Sequence, residues 1–182
     1  MVEGINEGRR KRVAYIASPL GFSEAGIYFL RLLRRRLSKF FIIIDPWEYV
    51  LSRDIRSVRR ENERLSRDQL ISIGRKNEER IRSADVVIAV LDGPQVDDGT
   101  ASEVGFAYGI GKRVYGYRGD LRRSGESCAS AVNLQVEAFI IASGGRIFGS
   151  LEDMLDYFEK YYTERPREGQ ETINKLRSFS EE

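Results

Sequence analysis

Histidine is missing from all 182 residues, and that absence excludes more chemistry than any motif in the chain. Ser-His-Asp and Cys-His catalysis are ruled out, as is every metal site built on imidazole. The single cysteine, Cys128, can form neither an intrachain disulfide nor a structural zinc site, and it points to a reducing compartment. No apolar run approaches the roughly 20 residues of a membrane span. The opening MVEGINEGRRKR also lacks the apolar segment of a signal peptide, so a cytoplasmic protein without membrane partners is expected. An excess of one charge is absent too: 30 basic residues face 28 acidic ones, for a net charge of +2. That balance argues against a nucleic-acid polymer as partner, despite the run Arg34-Arg35-Arg36. Catalysis near neutral pH must therefore rest on carboxylates, tyrosines, lysines or backbone groups.

What is present describes a globular domain. The hydrophobic fraction of 41% and charged fraction of 32% suit one core under a heavily charged surface. Residues 1–11 read as a flexible polar arm, 12–163 as a single domain and 164–182 as a charged tail. Short apolar runs alternate with helical periods. Strands are expected at 13–17, 40–44, 85–92, 113–117 and 147–148. Helices are expected after Ser23, between Trp47 and Ser83 (two, joined near Ser66 or Gly74), over 100–110 and after Ser150. In the 47–83 segment Ile71, Ile73 and Ile81 supply the apolar positions. Such alternation predicts an α/β fold, a doubly wound, five-stranded parallel sheet with helices on both faces, with the flavodoxin-like (Rossmann-like) order 2-1-3-4-5.

The most informative stretch runs from Ala84 to Gly111, ADVVIAVLDGPQVDDGTASEVGFAYGIG. A continuous apolar strand enters an acidic, glycine-bearing turn, and a helix follows. Ligands of parallel sheets bind beyond the carboxyl ends of the strands, which is where Asp92, Asp97, Asp98 and Glu103 fall. Thr100 to Glu103 fits the capping box T-x-x-E, which makes Glu103 a structural residue of a first helical turn. The same position suits a nucleophile, because the helix dipole there favours an ionised carboxylate. Asp97 lies six residues earlier and can face the same pocket, and two carboxylates are what cleavage of a glycosidic bond requires. Capping and catalysis are evenly matched at this level. Asp92 is a candidate for substrate binding or for bonding turn amides, and Asn133 reads locally as a loop residue or a helix N-cap. Asp85 reads as a structural cap. Phe22, Trp47 and Tyr49 sit on loops after the first two strands, where aromatic rings could stack on a planar ligand and shield it from water.

Several of these segments resemble one known family. Tyr15-Ile-Ala-Ser-Pro-Leu is similar to the YxAGPL start of the nucleoside 2-deoxyribosyltransferases. Asp97-Asp-Gly99-Thr-Ala-Ser-Glu103-Val-Gly105-Phe-Ala107 is similar to their D-x-GT-x-x-E-x-G-x-A signature, and Asn133-Leu134 matches a downstream asparagine. The resemblance implies exchange of nucleobases on 2-deoxyribose through a covalent deoxyribosyl-glutamate, with retention and without cofactor or metal. By position Glu103 would be the nucleophile, Asp97 would handle the proton of the base, and Tyr15 would orient Glu103. Gly99 would belong to the substrate-binding turn. Asn133 would reach a neighbouring subunit's site, which implies a homo-oligomer. Its partners would be 2-deoxynucleosides and free nucleobases. Two departures stand out. Asn77 occupies a position where some members carry aspartate, and an amide there can hydrogen-bond a base edge; Ser18 replaces a glycine. The rival readings are a 2-deoxynucleoside 5-phosphate N-glycosidase, a non-catalytic nucleotide-sensing module and a flavodoxin-type electron carrier. The last is disfavoured by a first loop, Ser18 to Phe22, ill suited to phosphate.

Overall fold

Side chains alternate strictly along the central strands, and that alternation builds two cores from one sheet. The computed structural model describes residues 11–51, 53, 57, 60–61 and 63–163; the expected arm (bar Lys11) and tail lie outside them. Strand β1 (Arg12–Ala17) sends Ala14 and Ile16 to one face and Tyr15 and Ala17 to the other. Strand β3 (Val86–Val90) does the same with Val86, Ile88 and Val90 against Val87 and Ala89. All five residues of β3 are buried, as a strand covered on both faces requires.

With β2 (Phe41–Ile44), β4 (Arg113–Tyr117) and β5 (Ile147–Phe148), these strands form one five-stranded sheet of order β2-β1-β3-β4-β5. Every pairing is parallel. This is the expected α/β order, with β1 and β3 side by side at the centre.

Helices cover both faces. On one lie α1 (Glu24–Leu37), through Leu30, Leu33 and Leu37, and the helix Leu151–Phe158, through Met154 and Phe158. After α1 come the short α2 (Glu48–Leu51) and α3 (Arg67–Ser83). The other face is covered by α3 (Ile81), α4 (Asp98–Gly109; Val104 and Ala107) and α5 (Leu134–Ala142; Val136 and Ile140). The helix 151–158 is α6; it runs into a π-helical turn, Glu159–Thr163, whose Tyr162 packs on Phe41, 4.8 Å between ring centroids.

Local sequence explains most helix starts. Ser23 accepts from the Gly26 amide at 3.0 Å, and Ser66 forms a full capping box with Gln69. Ser66, not Gly74, therefore marks the start of α3, and Gly74 lies inside it. The expected inward positions of that helix are corrected as well. Ile81 is buried, but Ile71 and Ile73 are each 43% exposed, with Leu70 exposed beside them. A glutamate- and arginine-rich helix offers few apolar residues, and only the turn nearest the sheet reaches the core. Among the described residues no helix is long and apolar enough to cross a membrane.

Candidate active site

Tyr15 is fully buried on the α4 side of the sheet, near the carboxyl end of β1. Its hydroxyl donates to Glu103 Oε1 at 2.5 Å, joining two residues 88 positions apart. The bond is short because the acceptor is a carboxylate in a poorly solvated place. Burial is also the main influence on Glu103 and pushes its ionisation up from 4.5 to about 7. The Tyr15 hydroxyl pulls in the opposite direction, and the charge of Asp97 adds to the rise. Burial, with Glu103 second, raises the Tyr15 phenol far above its ordinary range, so it stays a donor.

These facts revise the helix start. Asp97, not Thr100, is the N-cap of α4: its Oδ1 accepts from the Thr100 amide at 2.9 Å and from Thr100 Oγ1 at 3.2 Å. Glu103 is thus in the second turn and closes no capping box. Aspartate is among the best N-caps and carries a favourable charge there, so it wins over a threonine three residues later. The dipole's benefit fades beyond the first turn, which leaves burial to dominate Glu103. The expected help of the helix dipole in keeping Glu103 ionised is therefore outweighed by burial.

The turn before α4 is closely tied. Asp92 Oδ1 accepts from the Asp120 amide at 2.9 Å, and Asp120 Oδ2 accepts from Gly93 at 3.2 Å. Asp92 is thus occupied with a turn amide. Gly93 has φ of 124°, which glycine alone adopts readily. A Cβ at Gly99 would come 3.2 Å from Asp97 Oδ1, so glycine there leaves the carboxylate room. Asp85 Oδ2 accepts from the Val13 amide at 2.7 Å, the structural role expected of it.

On the β2 side Trp47 pins two loops together. Its Nε1 donates to Ser18 O at 2.7 Å, and its backbone amide donates to Asp45 Oδ1 at 2.8 Å. The ring lies on Gly21, where a Cβ would fall 1.9 Å from Cδ2. Phe22 meets it edge-on at 4.5 Å and is itself 67% exposed. Of the three aromatic candidates, Phe22 has a free face, Tyr49 is exposed and stacks on Trp47 at 6.4 Å, and Trp47 is largely taken up in packing. Gly21→Ala should therefore destabilise the domain by about 2 kcal/mol or more, since no soft neighbour can yield. Trp47 is the sole tryptophan, so its emission reports the displacement directly. Unchanged melting and unchanged emission would contradict this packing.

Among the described residues the remaining candidates make no hydrogen bond to Tyr15 or Glu103. Asn77 Oδ1 accepts from Arg80 Nη1 at 3.2 Å, and the Arg80 charge is felt by Tyr15. Asn133 caps α5, with Oδ1 accepting from Gln135 at 3.0 Å and Nδ2 donating to Glu126 at 2.6 Å. None of its bonds reaches Tyr15, Asp97 or Glu103 within the chain.

Residues 14–140 match the family model for nucleoside 2-deoxyribosyltransferase. The chain belongs to that family. Solved structures agree in fold. A conserved protein of Enterococcus faecalis is similar at 27% identity and a TM-score of 0.60, over 83% of this chain and 99% of that one. A 2-desoxiribosyltransferase of Leishmania mexicana has the same score and coverage at 24% identity. A CMP N-glycosidase of Clostridium botulinum matches at 16% identity and a TM-score of 0.50, over 82% and 100%. No curated protein sequence matches the chain significantly. Two charged residues near the strand ends, Asp45 and Arg118, are buried as well, and nothing in the local sequence separates them from a strand terminator and a solvated loop arginine.

Proposed function

We propose that the chain is a nucleoside 2-deoxyribosyltransferase that exchanges bases through a covalent deoxyribosyl-Glu103. The observation that carries this reading is the 2.5 Å bond from the buried Tyr15 hydroxyl to Glu103, with Asp97 close enough to raise the Glu103 ionisation. Ionised Glu103 attacks the anomeric carbon through the carboxylate oxygen left free by Tyr15. The N-glycosidic bond breaks, its electron pair goes to the base nitrogen, and Asp97 delivers the proton. An incoming base then attacks the same carbon, Glu103 departs, and the proton returns to Asp97. Two inversions give retention and ping-pong kinetics. Asp97 Oδ1 is engaged in the cap, so Oδ2 is the oxygen assigned to the proton.

Incubation with deoxyinosine and adenine tests the reaction: deoxyadenosine should form, and mass spectrometry should find the deoxyribosyl adduct on Glu103. Free deoxyribose without deoxyadenosine would favour the N-glycosidase reading instead. Binding of a deoxynucleoside without turnover would favour a sensing module.

The reading includes an oligomer in which Asn133 serves a neighbouring site, consistent with its exposed position at the start of α5. Mixing Glu103→Gln with Asn133→Ala subunits should then restore part of the activity that each lacks alone, once the subunits exchange. An inactive mixture of demonstrably exchanged subunits would remove Asn133 from the site.

A further inference from the structure

We propose that Arg118 is a positioning residue for Asp97: its buried guanidinium clamps the turn between β3 and α4 and so sets the acid opposite Glu103. The proposal rests on the two-carboxylate reading above. Arg118 follows β4 directly and is 5% exposed. Nη1 donates to Leu91 O, and Nη2 donates to Gly93 O at 3.2 Å and to Arg122 O at 2.5 Å. The first two carbonyls flank Asp92, where the chain leaves the sheet. The third belongs to the loop after β4. One rigid fork thus joins both loops, which a point-like ammonium cannot do equally well.

The turn needs such support. Leu91 makes the last backbone bond to β4, to Tyr117 O at 2.8 Å, and Gly93 then takes its left-handed conformation. Asp120 reinforces the same junction by accepting from Gly93 and donating to Asp92. Arg118 has no carboxylate partner among the described residues, and its Nε bonds nothing there. Burying a cation against carbonyls alone is costly, and well-packed apolar residues would close a loop more cheaply. The clamp holds the root of the turn that ends in Asp97, so the position of that acid depends on it.

Placement has a signature that plain stability lacks. Asp97 contributes to the raised ionisation of Glu103, so an Asp97 that drifts away must let the Glu103 midpoint fall. The test compares Arg118→Met, Asp97→Asn and the double variant by carbon-13 NMR titration of the Glu103 carboxyl and by deoxyinosine turnover. Arg118→Met should lower the Glu103 midpoint in the same direction as Asp97→Asn. It should reduce kcat on the order of tenfold, more than it raises KM. The double variant should be no worse than Asp97→Asn alone, because residues acting through one another are not additive. Arg118→Lys keeps the charge and part of the clamp; it should lower the Glu103 midpoint and kcat in the same direction but by less, and it carries the test if Arg118→Met folds poorly. A Glu103 midpoint unmoved in both Arg118 variants, or losses that multiply in the double variant, overturns the proposal. If the wild type cleaves no deoxynucleoside, the catalytic reading fails, while the titration still decides whether Arg118 places Asp97.

Discussion

Glu103→Gln is expected to abolish base exchange and, at the same time, to make the protein more stable. Activity should drop on the order of 10³-fold or more, since an amide cannot form the ester intermediate. The stability gain follows from the sign of the ionisation shift. Glu103 ionises near 7 in the folded chain and at 4.5 as an ordinary glutamate. Below 4.5 it is protonated in both states and costs nothing. As the pH rises, the unfolded chain releases its proton first, so stability falls between 4.5 and about 7 and stays lower above that. The shift corresponds to about 3 kcal/mol at slightly alkaline pH. Glutamine fills the same space, can accept from the Tyr15 hydroxyl, and carries no charge to bury. The variant should therefore melt roughly 5–10 °C higher at pH 8, with a much smaller gain at pH 4. Melting curves at the two pH values decide the matter: a variant that melts no higher at pH 8 would show that Glu103 is not held in a desolvating site.

Tyr15→Phe should move the acid limb of the pH–rate profile. At neutral pH only part of the enzyme carries an ionised Glu103, so kcat/KM should rise with pH through about 7. The Tyr15 hydroxyl favours the ionised form, and its removal leaves burial and the Asp97 charge acting alone. The limb should shift to higher pH, by on the order of one pH unit. Turnover at pH 7 should fall roughly 10- to 100-fold, through the smaller ionised fraction and the looser carboxylate, and raising the pH should recover part of it. A limb that stays in place or moves to lower pH would remove Tyr15 from the control of Glu103. The two substitutions also separate the groups: one takes away the reacting carboxylate, the other only its restraint.

Stability and chemistry pull against each other at this site. The carboxylate that weakens the folded chain at neutral pH is the one assigned to attack. Its partners, Tyr15 and Asp97, act on it in opposite directions. That Glu103 ionises near neutrality is a consequence of burial, which the Tyr15 hydrogen bond opposes.

The positions of the strands and of most helices were legible in the chain because they depend on local periodicity, and the strand order followed from the right-handed crossovers that alternating strands and helices require. Two-faced apolar runs at 86–90 and 113–117 can only be central parallel strands, and Ser23, Ser66 and Ser150 cap the helices that follow them. The acidic turn between β3 and α4 was legible for the same reason, and so was the chemistry open to a chain without histidine. What needed tertiary structure was every side-chain relation across long sequence separation. The Tyr15–Glu103 bond spans 88 residues, and Arg118 reaches back 27 residues to Leu91. Two carboxylates near one helix start can exchange the roles of cap and nucleophile without any change in pattern. Only the packing of α4 against β1 and β3 decided that Asp97 caps and that Glu103 is half-buried against Tyr15. Composition and periodicity thus determined the fold and the kinds of group available. Burial, which no local pattern encodes, decided the charge that Glu103 carries and which loop arginine became part of the interior.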